Sequence, residues 1–164
     1  QIAGASSEEI RLAMASFKGV DRRFDFKLKS DKFVFLSDYA HHPAEIKQSI
    51  SSVRTIYPDK KITVVFQPHL YTRTRDFYTE FAESLSLADE IILLDIYPAR
   101  ETPIEGVSSK LIFDCIKPGI SKIMCNKDNL IDILGQKNIE VLITLGAGDI
   151  ENYVPRILET FKDR

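Results

Sequence analysis

The segment FVFLSDYAHHP, residues 33–43, joins a continuous apolar run to a dense group of polar residues. Residues 33–36 show no alternation of polar and apolar side chains, which is typical of a strand buried on both faces. Pro43 suits the first turn of a helix, where its missing N–H group is not needed. The segment therefore predicts a strand, a polar turn and then a helix.

A second polar segment, QPHLYTRTRD at residues 67–76, follows the apolar run at residues 62–66 in the same way. The chain has three histidines, His41, His42 and His69, and all of them lie in these two segments. In open α/β sheets, ligands bind in the crevice at the carboxyl ends of the strands. We expect the two segments to follow adjacent strands and to form one site.

The rest of the chain repeats the alternation of strand and helix. Apolar runs at residues 91–94, 122–125 and 141–145 predict further strands, each followed by an amphipathic pattern. An alternating pattern at residues 24–28 indicates an antiparallel edge strand with Phe24, Phe26 and Leu28 on its inner face. The sequence thus predicts an α/β fold, a Rossmann-like three-layer domain with about six mostly parallel strands and one antiparallel edge strand.

The first part of the chain is expected to be separate from this domain. We predict that residues 1–20 are a connector from an upstream domain and that residues 21–164 form the main domain, although the first helix is about equally compatible with belonging to it. The chain begins at Gln1 without a methionine, and we expect it to be a fragment whose function needs parts outside it.

Several residues suggest helix boundaries. Ser6 or Ser7 is a suitable cap for the first helix, and Gly19 is expected to end it. Thr72 or Thr74 is predicted to cap the helix that follows the second polar segment.

Composition excludes some classes of function. With 164 residues, 44% hydrophobic content and a net charge of −2, the chain has no electrostatic basis for binding nucleic acid or an anionic membrane. No apolar run approaches the ~20 residues of a transmembrane helix. Cys115 and Cys125 fit no metal-ligand spacing and are expected to be reduced thiols in the core of a cytoplasmic protein.

Among the histidines, His41 is the candidate to face a ligand, and His42 is expected to have a local structural role. Adjacent side chains point in different directions and no third ligand is evident, so we predict no metal site. A purely structural role for both histidines stays open. Arg73 shares its segment with His69, and a guanidinium binds carboxylate or phosphate through two parallel hydrogen bonds.

Other polar residues leave alternatives open. Asp38 ends a central strand, where either a ribose hydroxyl pair or a nearby arginine would satisfy its carboxylate. Gly146-Ala147-Gly148 is either a tight structural turn or a place where the backbone approaches a ligand. The sequence contains no phosphate-binding loop of the G-x-x-x-x-G-K-[ST] type, so it lacks the usual means of holding a triphosphate.

Four motifs together resemble the carboxyl-terminal domain of the Mur ligases of peptidoglycan synthesis. They are DYAHHP at residues 38–43, FQPHLYTRTRD at 66–76, YPARETPI at 97–104 and GAGDI at 146–150. The resemblance spans nearly the whole chain. It is most specific to the members of the family that add L-alanine to UDP-N-acetylmuramate.

The resemblance implies an ATP-dependent enzyme of three domains, in which ATP and Mg²⁺ are bound mainly by a central domain that this chain lacks. ATP would phosphorylate the lactyl carboxylate of UDP-N-acetylmuramate, and the amine of L-alanine would attack the acyl phosphate. The isolated fragment is therefore expected to be inactive, and no residue in it is expected to be catalytic.

The resemblance also implies roles for individual residues. The positions around the incoming alanine are Tyr39, His41, His69 and Arg73, the residue facing ATP is Asp38, and further possible site residues are Arg75, Arg100 and Glu101. The family often has arginine where this chain has Leu70, which puts more weight on Arg73, with Arg75, as the partner of the alanine carboxylate. Arg100 also replaces a common glycine of the family.

Two other functions stay open at this point. One is a sibling Mur ligase that adds a preformed peptide during wall recycling. The other is a non-catalytic α/β ligand-binding module.

Overall fold

The structure, a computed structural model, describes residues 4–17 and 19–163. Helices and strands alternate along the chain as predicted. In chain order they are α1 (Ser7–Ser16), β1 (Asp25–Lys29), β2 (Val34–Asp38), α2 (Pro43–Ile56), β3 (Ile62–Phe66), α3 (Tyr71–Leu85), β4 (Glu90–Leu93), α4 (Lys110–Cys115), β5 (Ser121–Met124), α5 (Leu130–Gly135), β6 (Val141–Leu145), a 3₁₀ helix (Asp149–Tyr153) and α6 (Val154–Phe161).

The strands form one sheet of six in the order β1-β2-β6-β3-β4-β5. β1 pairs with β2 in the antiparallel sense, and every other pairing is parallel. The predicted fold class is confirmed. One part of the prediction is wrong, because β6 lies between β2 and β3, so the two polar segments do not follow adjacent strands.

The sheet separates two apolar cores. One lies under α2, α3 and α4, with Ile46 and Phe81 among its fully buried side chains. The other lies under α5 and α6, where the ring of Phe33 stacks on that of Phe161 with centroids 4.5 Å apart. Central strands covered on both faces are mostly apolar, which is why β2, β3 and β6 read as largely hydrophobic runs.

The edge strand β1 departs from the predicted alternation. Its register with β2 shifts between Phe26 and Leu28, so an irregularity interrupts the period of two. Phe26 is exposed, and its ring makes an edge-to-face contact with that of Phe24, with centroids 5.7 Å apart.

Helix α1 stands apart from both cores, since every one of its residues is exposed. Ser6 caps it as predicted, because its hydroxyl accepts the Glu9 N–H while the Glu9 carboxylate accepts the Ser6 N–H at 2.8 Å. The helix ends at Ser16 with Phe17 as its cap, so the prediction that Gly19 ends it is wrong. The boundary between residues 20 and 21 stays a prediction.

The prediction for the start of α3 is also wrong. Its N-cap is Leu70, which has a positive φ of 73° and provides no side-chain cap. The Thr72 backbone N–H and hydroxyl both donate to the carboxylate of Glu101, and the Thr74 hydroxyl donates back to the Leu70 carbonyl. Glu101, from a loop distant in sequence, therefore accepts a backbone N–H group of the first turn of α3, which is the role predicted for Thr72 or Thr74.

The two thiols differ in burial. Cys115, at the end of α4, is exposed, so the expectation of a core thiol is wrong there. Cys125 is half-buried, and burial together with the nearby Asp95 carboxylate raises its pKa to about 11. Among the described residues, no helix is both long enough and apolar enough to cross a membrane.

Candidate functional site

The site lies at the carboxyl edge of the sheet, where β2, β6 and β3 end side by side. The turn after β6 joins the two polar segments, since the Gly146 N–H donates to the Asp38 carbonyl and the Gln67 N–H donates to the Leu145 carbonyl. The two segments converge although their strands are separated, because their side chains reach across this turn. The rings of His41 and His69 lie 6.0 Å apart, centroid to centroid.

Gly146 has a steric reason to be glycine. Its φ is +144°, and an added Cβ would lie 2.8 Å from the Gln67 carbonyl oxygen. Gln67 is buried and also binds the following 3₁₀ helix, because its amide nitrogen donates to Asp149 and its amide oxygen accepts the Ile150 N–H. These contacts support the interpretation of the glycine segment as a tight structural turn.

His41 is oriented by its own segment. Its Nδ1 lies 2.9 Å from the Tyr39 carbonyl oxygen, which only accepts, so Nδ1 carries the hydrogen and leaves Nε2 as an acceptor in the neutral ring. The Glu45 carboxylate accepts the backbone N–H groups of His41 and His42. Partial burial raises the pKa of Glu45, but these two N–H groups, together with the nearby His41 ring and the charge of Arg23, hold the pKa below its ordinary value.

His42 differs from its neighbour. It is exposed, occupies the N-cap position of α2, and lies beside Phe77 with ring centroids 5.1 Å apart. The structure therefore separates the two histidines, with His41 in the cluster and His42 at the helix start. Their roles stay predictions.

His69 and Arg73 form the second half of the cluster. Arg73 lies one helical turn after His69, and its Nη1 is 3.5 Å from His69 Nδ1. A guanidinium only donates, so Nδ1 is the acceptor and the hydrogen of the neutral ring is on Nε2. Burial, the positive charge of Arg73 and the proximity of His41 lower the pKa of His69, so its ring is uncharged at neutral pH.

Among the described residues, no carboxylate lies within ion-pair distance of Arg73. Arg75, by contrast, is exposed and its Nε donates to the adjacent Asp76 at 2.7 Å. The half-buried, unpaired guanidinium of Arg73 is thus available for an anionic ligand.

The other predicted site residues lie around this cluster. Asp38 is half-buried, its carboxylate accepts the Ala40 N–H at 3.3 Å, and it lines a cavity of about 310 Å³ together with Arg23. Glu101 is committed to Thr72 through both carboxylate oxygens. Arg100 is exposed beside a shallow cavity of about 290 Å³ that Glu101 also lines.

Three residues near the cluster were not among the predicted site residues. Tyr97 packs its ring against that of His69, with centroids 5.7 Å apart. Arg22 lies over the ring of Tyr39 and makes an ion pair with Glu151. Arg22 precedes β1, and Glu151 follows β6, so no local pattern connects them. Among the described residues, no group of three or more potential ligands is placed to hold a metal ion.

A six-stranded, mostly parallel sheet with helices on both faces places the chain in the class of doubly wound α/β domains. The sequence profile of the Mur ligase glutamate ligase domain matches residues 22–148. The chain therefore belongs to the Mur ligase family.

Individual relatives extend this likeness over nearly the whole chain. The UDP-N-acetylmuramate–L-alanine ligase of Phocaeicola vulgatus is 71% identical over 157 residues, which are 96% of this chain and 34% of that protein. The solved UDP-N-acetylmuramate-alanine ligase of Thermotoga maritima is 27% identical, with a TM-score of 0.78 over 98% of this chain and 34% of that one. The chain thus spans about a third of the length of these relatives.

The murein peptide ligase of Psychrobacter arcticus is also similar, with a TM-score of 0.71 over 98% of this chain and 34% of that one. Its sequence is 19% identical, so this likeness concerns the fold alone.

Proposed function

We propose that this chain is the carboxyl-terminal domain of an ATP-dependent ligase that joins L-alanine to UDP-N-acetylmuramate. The observation that carries the proposal is the 71% identity to a ligase of that name over 96% of the chain. Among the solved structures, the murein peptide ligase of Psychrobacter arcticus is 19% identical to the chain, against 27% for the L-alanine ligase of Thermotoga maritima. The non-catalytic module is disfavoured because the chain spans about a third of an enzyme with which it shares most of its residues.

The site supports a role in holding the amino acid. The half-buried guanidinium of Arg73, which pairs with no carboxylate of the described residues, suits the carboxylate of L-alanine. The rings of His41 and His69 lie edge-to-face with centroids 6.0 Å apart and would orient the rest of this small substrate, with Tyr39 beside His41. Because the lowered pKa keeps His69 uncharged, its ring does not repel the incoming amine.

Positioning is the main contribution proposed for these residues. The amine of L-alanine would attack the acyl phosphate formed from UDP-N-acetylmuramate and ATP, and phosphate would leave. Holding two reactants in line removes much of the entropic part of such a barrier, by up to roughly 7–11 kcal/mol in well-oriented systems. No general base with a tuned pKa is needed from this domain.

ATP would be contacted through the cavity beside Asp38. The carboxylate of Asp38 suits the hydroxyl pair of a ribose, and Arg23, which lines the same cavity, provides a positive charge for phosphate. The phosphate loop and the Mg²⁺ ligands would come from other parts of the enzyme, where Mg²⁺ would neutralise charge on the phosphates.

The full-length protein tests the proposal directly. We expect UDP-N-acetylmuramate, ATP and L-alanine together to give ADP, phosphate and the alanyl product, while a preformed wall peptide in place of alanine gives none. Addition of the peptide with no addition of alanine would instead identify the recycling ligase. Ligand binding with no ADP release under either condition would leave only a binding module.

A further inference from the structure

We propose that Arg22 and Glu151 form a positioning pair that sets the ring of Tyr39 at the amino-acid site. This inference rests on the proposed function, because it deepens the role of the same site. Neither residue belongs to the histidine and arginine cluster, and both act through Tyr39.

Arg22 holds Tyr39 through two contacts. The Cζ atom of its guanidinium lies 4.5 Å from the centroid of the Tyr39 ring, within the range of a cation–π interaction. Its backbone carbonyl accepts the Tyr39 N–H at 2.7 Å. The ring and the backbone of Tyr39 are therefore both fixed by one residue, while the neighbouring Arg23 lies farther from the same ring, at 5.3 Å.

Glu151 provides the negative charge next to this guanidinium. Its Oε2 lies 3.3 Å from Arg22 Nε and also accepts the hydroxyl of Ser37 at 3.0 Å. Ser37 is buried at the end of β2, directly before Asp38, and Glu151 lies just after β6. The carboxylate thus connects the ends of two neighbouring strands to the segment that precedes β1.

Stability alone does not account for this arrangement. Arg22 has a φ of +62°, a region that L-residues adopt only where their surroundings hold them there. Its Nε and Nη2 atoms are buried and make no hydrogen bond with the described residues, so the ion pair with Glu151 lacks hydrogen-bond geometry. The Arg22 side chain is still 29% exposed, but two of its nitrogens lie buried without a hydrogen bond, which is costly and calls for an explanation beyond packing.

Tyr39 transmits the effect of Arg22 to the site. Its ring packs edge-to-face on that of His41 with centroids 5.2 Å apart, and the His41 ring faces His69. The Tyr39 carbonyl also receives the Nδ1–H of His41. Loss of the guanidinium would let the Tyr39 ring move, and the His41 ring that packs against it would lose its fixed orientation. The side chains that line the cavity beside Asp38 would stay unchanged.

Kinetics of the full-length enzyme test the inference, with Arg22→Met, Arg22→Lys and Glu151→Gln as the variants. We expect Arg22→Met to raise the KM for L-alanine about tenfold, while kcat and the KM for UDP-N-acetylmuramate change less than about twofold. Arg22→Lys keeps the charge and should recover part of the loss. Glu151→Gln should raise the same KM by a smaller factor.

Arg54→Met is the matched control. Arg54 forms an ion pair of 2.6 Å with Asp89 at the opposite end of the sheet, and its side chain is 35% exposed, against 29% for that of Arg22. This variant should leave every KM unchanged. The inference is overturned if Arg22→Met behaves as Arg54→Met does, or if it raises the KM values of all the substrates together. If Arg22→Met does not fold, Arg22→Lys and Glu151→Gln decide by the same criteria.

A spectroscopic measurement is independent of the substrate. In full-length protein labelled with ¹³C-tyrosine, Tyr39→Phe identifies the Tyr39 ring signal, which Arg22→Met should shift and Arg54→Met should not. An unmoved signal would overturn the inference. If the wild-type enzyme rejects L-alanine, the proposed function fails, and the kinetic comparison is made with the amine that the enzyme accepts.

Discussion

His69 is the residue whose chemistry depends most on its surroundings. Burial lowers its pKa, and the positive charge of Arg73 and the nearby His41 act in the same direction, while Glu101 opposes them. The folded protein therefore binds the His69 proton at lower pH than the unfolded chain does. Between the folded-state pKa and the ordinary pKa of 6.5, the unfolded chain holds more protons on this residue than the folded protein does. The contribution of His69 to the free energy of unfolding is therefore present above pH 6.5 and is lost as the pH falls through the folded-state pKa.

We expect the His69 ring to titrate below pH 6.5 in an NMR titration. Arg73→Met should raise this pKa but not restore it to the ordinary 6.5, because burial is the larger cause of the lowering. Glu101→Gln should lower it further, since that carboxylate is the group that favours the proton. A midpoint at or above 6.5 in the wild-type chain would contradict the described surroundings of His69.

The two cysteines should differ in reactivity. Cys115 is exposed, whereas Cys125 is half-buried with a pKa of about 11, and the thiolate is the reactive form. At pH 8, a thiol reagent should label Cys115 at least about tenfold faster than Cys125. Cys115→Ser should abolish the fast phase and Cys125→Ser the slow one, and equal rates at both sites would be inconsistent with the structure.

At the scale of residues, the sequence indicated the cluster but not what supports it. His41, His69 and Arg73 lie in two dense polar segments, so their motifs predicted that they share a site, and the structure brings them together. Arg22 and Glu151 were not predicted as site residues, because they meet only through the fold. The prediction of Thr72 as a helix cap is wrong because Thr72 donates to Glu101, which comes from a distant loop that the local pattern does not reveal.

At the scale of elements, the strands were predictable and their order was not. Apolar runs reveal which segments are strands, because central strands of a parallel sheet are covered on both faces. Nothing in those runs specifies neighbours, and β6, the last strand in the chain, lies between β2 and β3. The turn after β6 therefore lies at the centre of the site, between the two polar segments.

Gly146 tests the packing of this turn. Gly146→Ala should lower the free energy of unfolding by at least about 2 kcal/mol, because its Cβ would lie 2.8 Å from the Gln67 carbonyl oxygen at a φ of +144°. Gly106→Ala is the control, since its φ is also positive but no atom lies within 4 Å of the added Cβ. Its loss should be nearer to about 1 kcal/mol. Equal losses in urea unfolding would show that Gly146 is not crowded.

At the scale of the whole molecule, the exposed helix α1 and the missing phosphate loop have a common explanation. The chain spans about a third of the length of its relatives, and the apolar side chains of α1 contact neither core. The family profile begins at residue 22, after this helix. We therefore expect the chain to act together with further domains.

The isolated 164 residues should have no ligase activity, because their sequence contains no phosphate loop to hold ATP for transfer. The measurement is release of ADP with UDP-N-acetylmuramate and L-alanine present, and the full-length protein is the positive control. ATP-dependent formation of the alanyl product by the 164 residues alone would contradict this expectation.

Arg73 provides the most direct test of the claim that the carboxyl edge of the sheet holds the amino acid. In the full-length enzyme, Arg73→Ala should raise the KM for L-alanine at least about tenfold, since a charge-assisted hydrogen bond contributes roughly 1.5–3 kcal/mol. The KM for UDP-N-acetylmuramate should stay within about twofold. Arg75→Ala, which removes an exposed arginine already paired with Asp76, should have little effect on either. An equal rise in both KM values with Arg73→Ala would contradict the account.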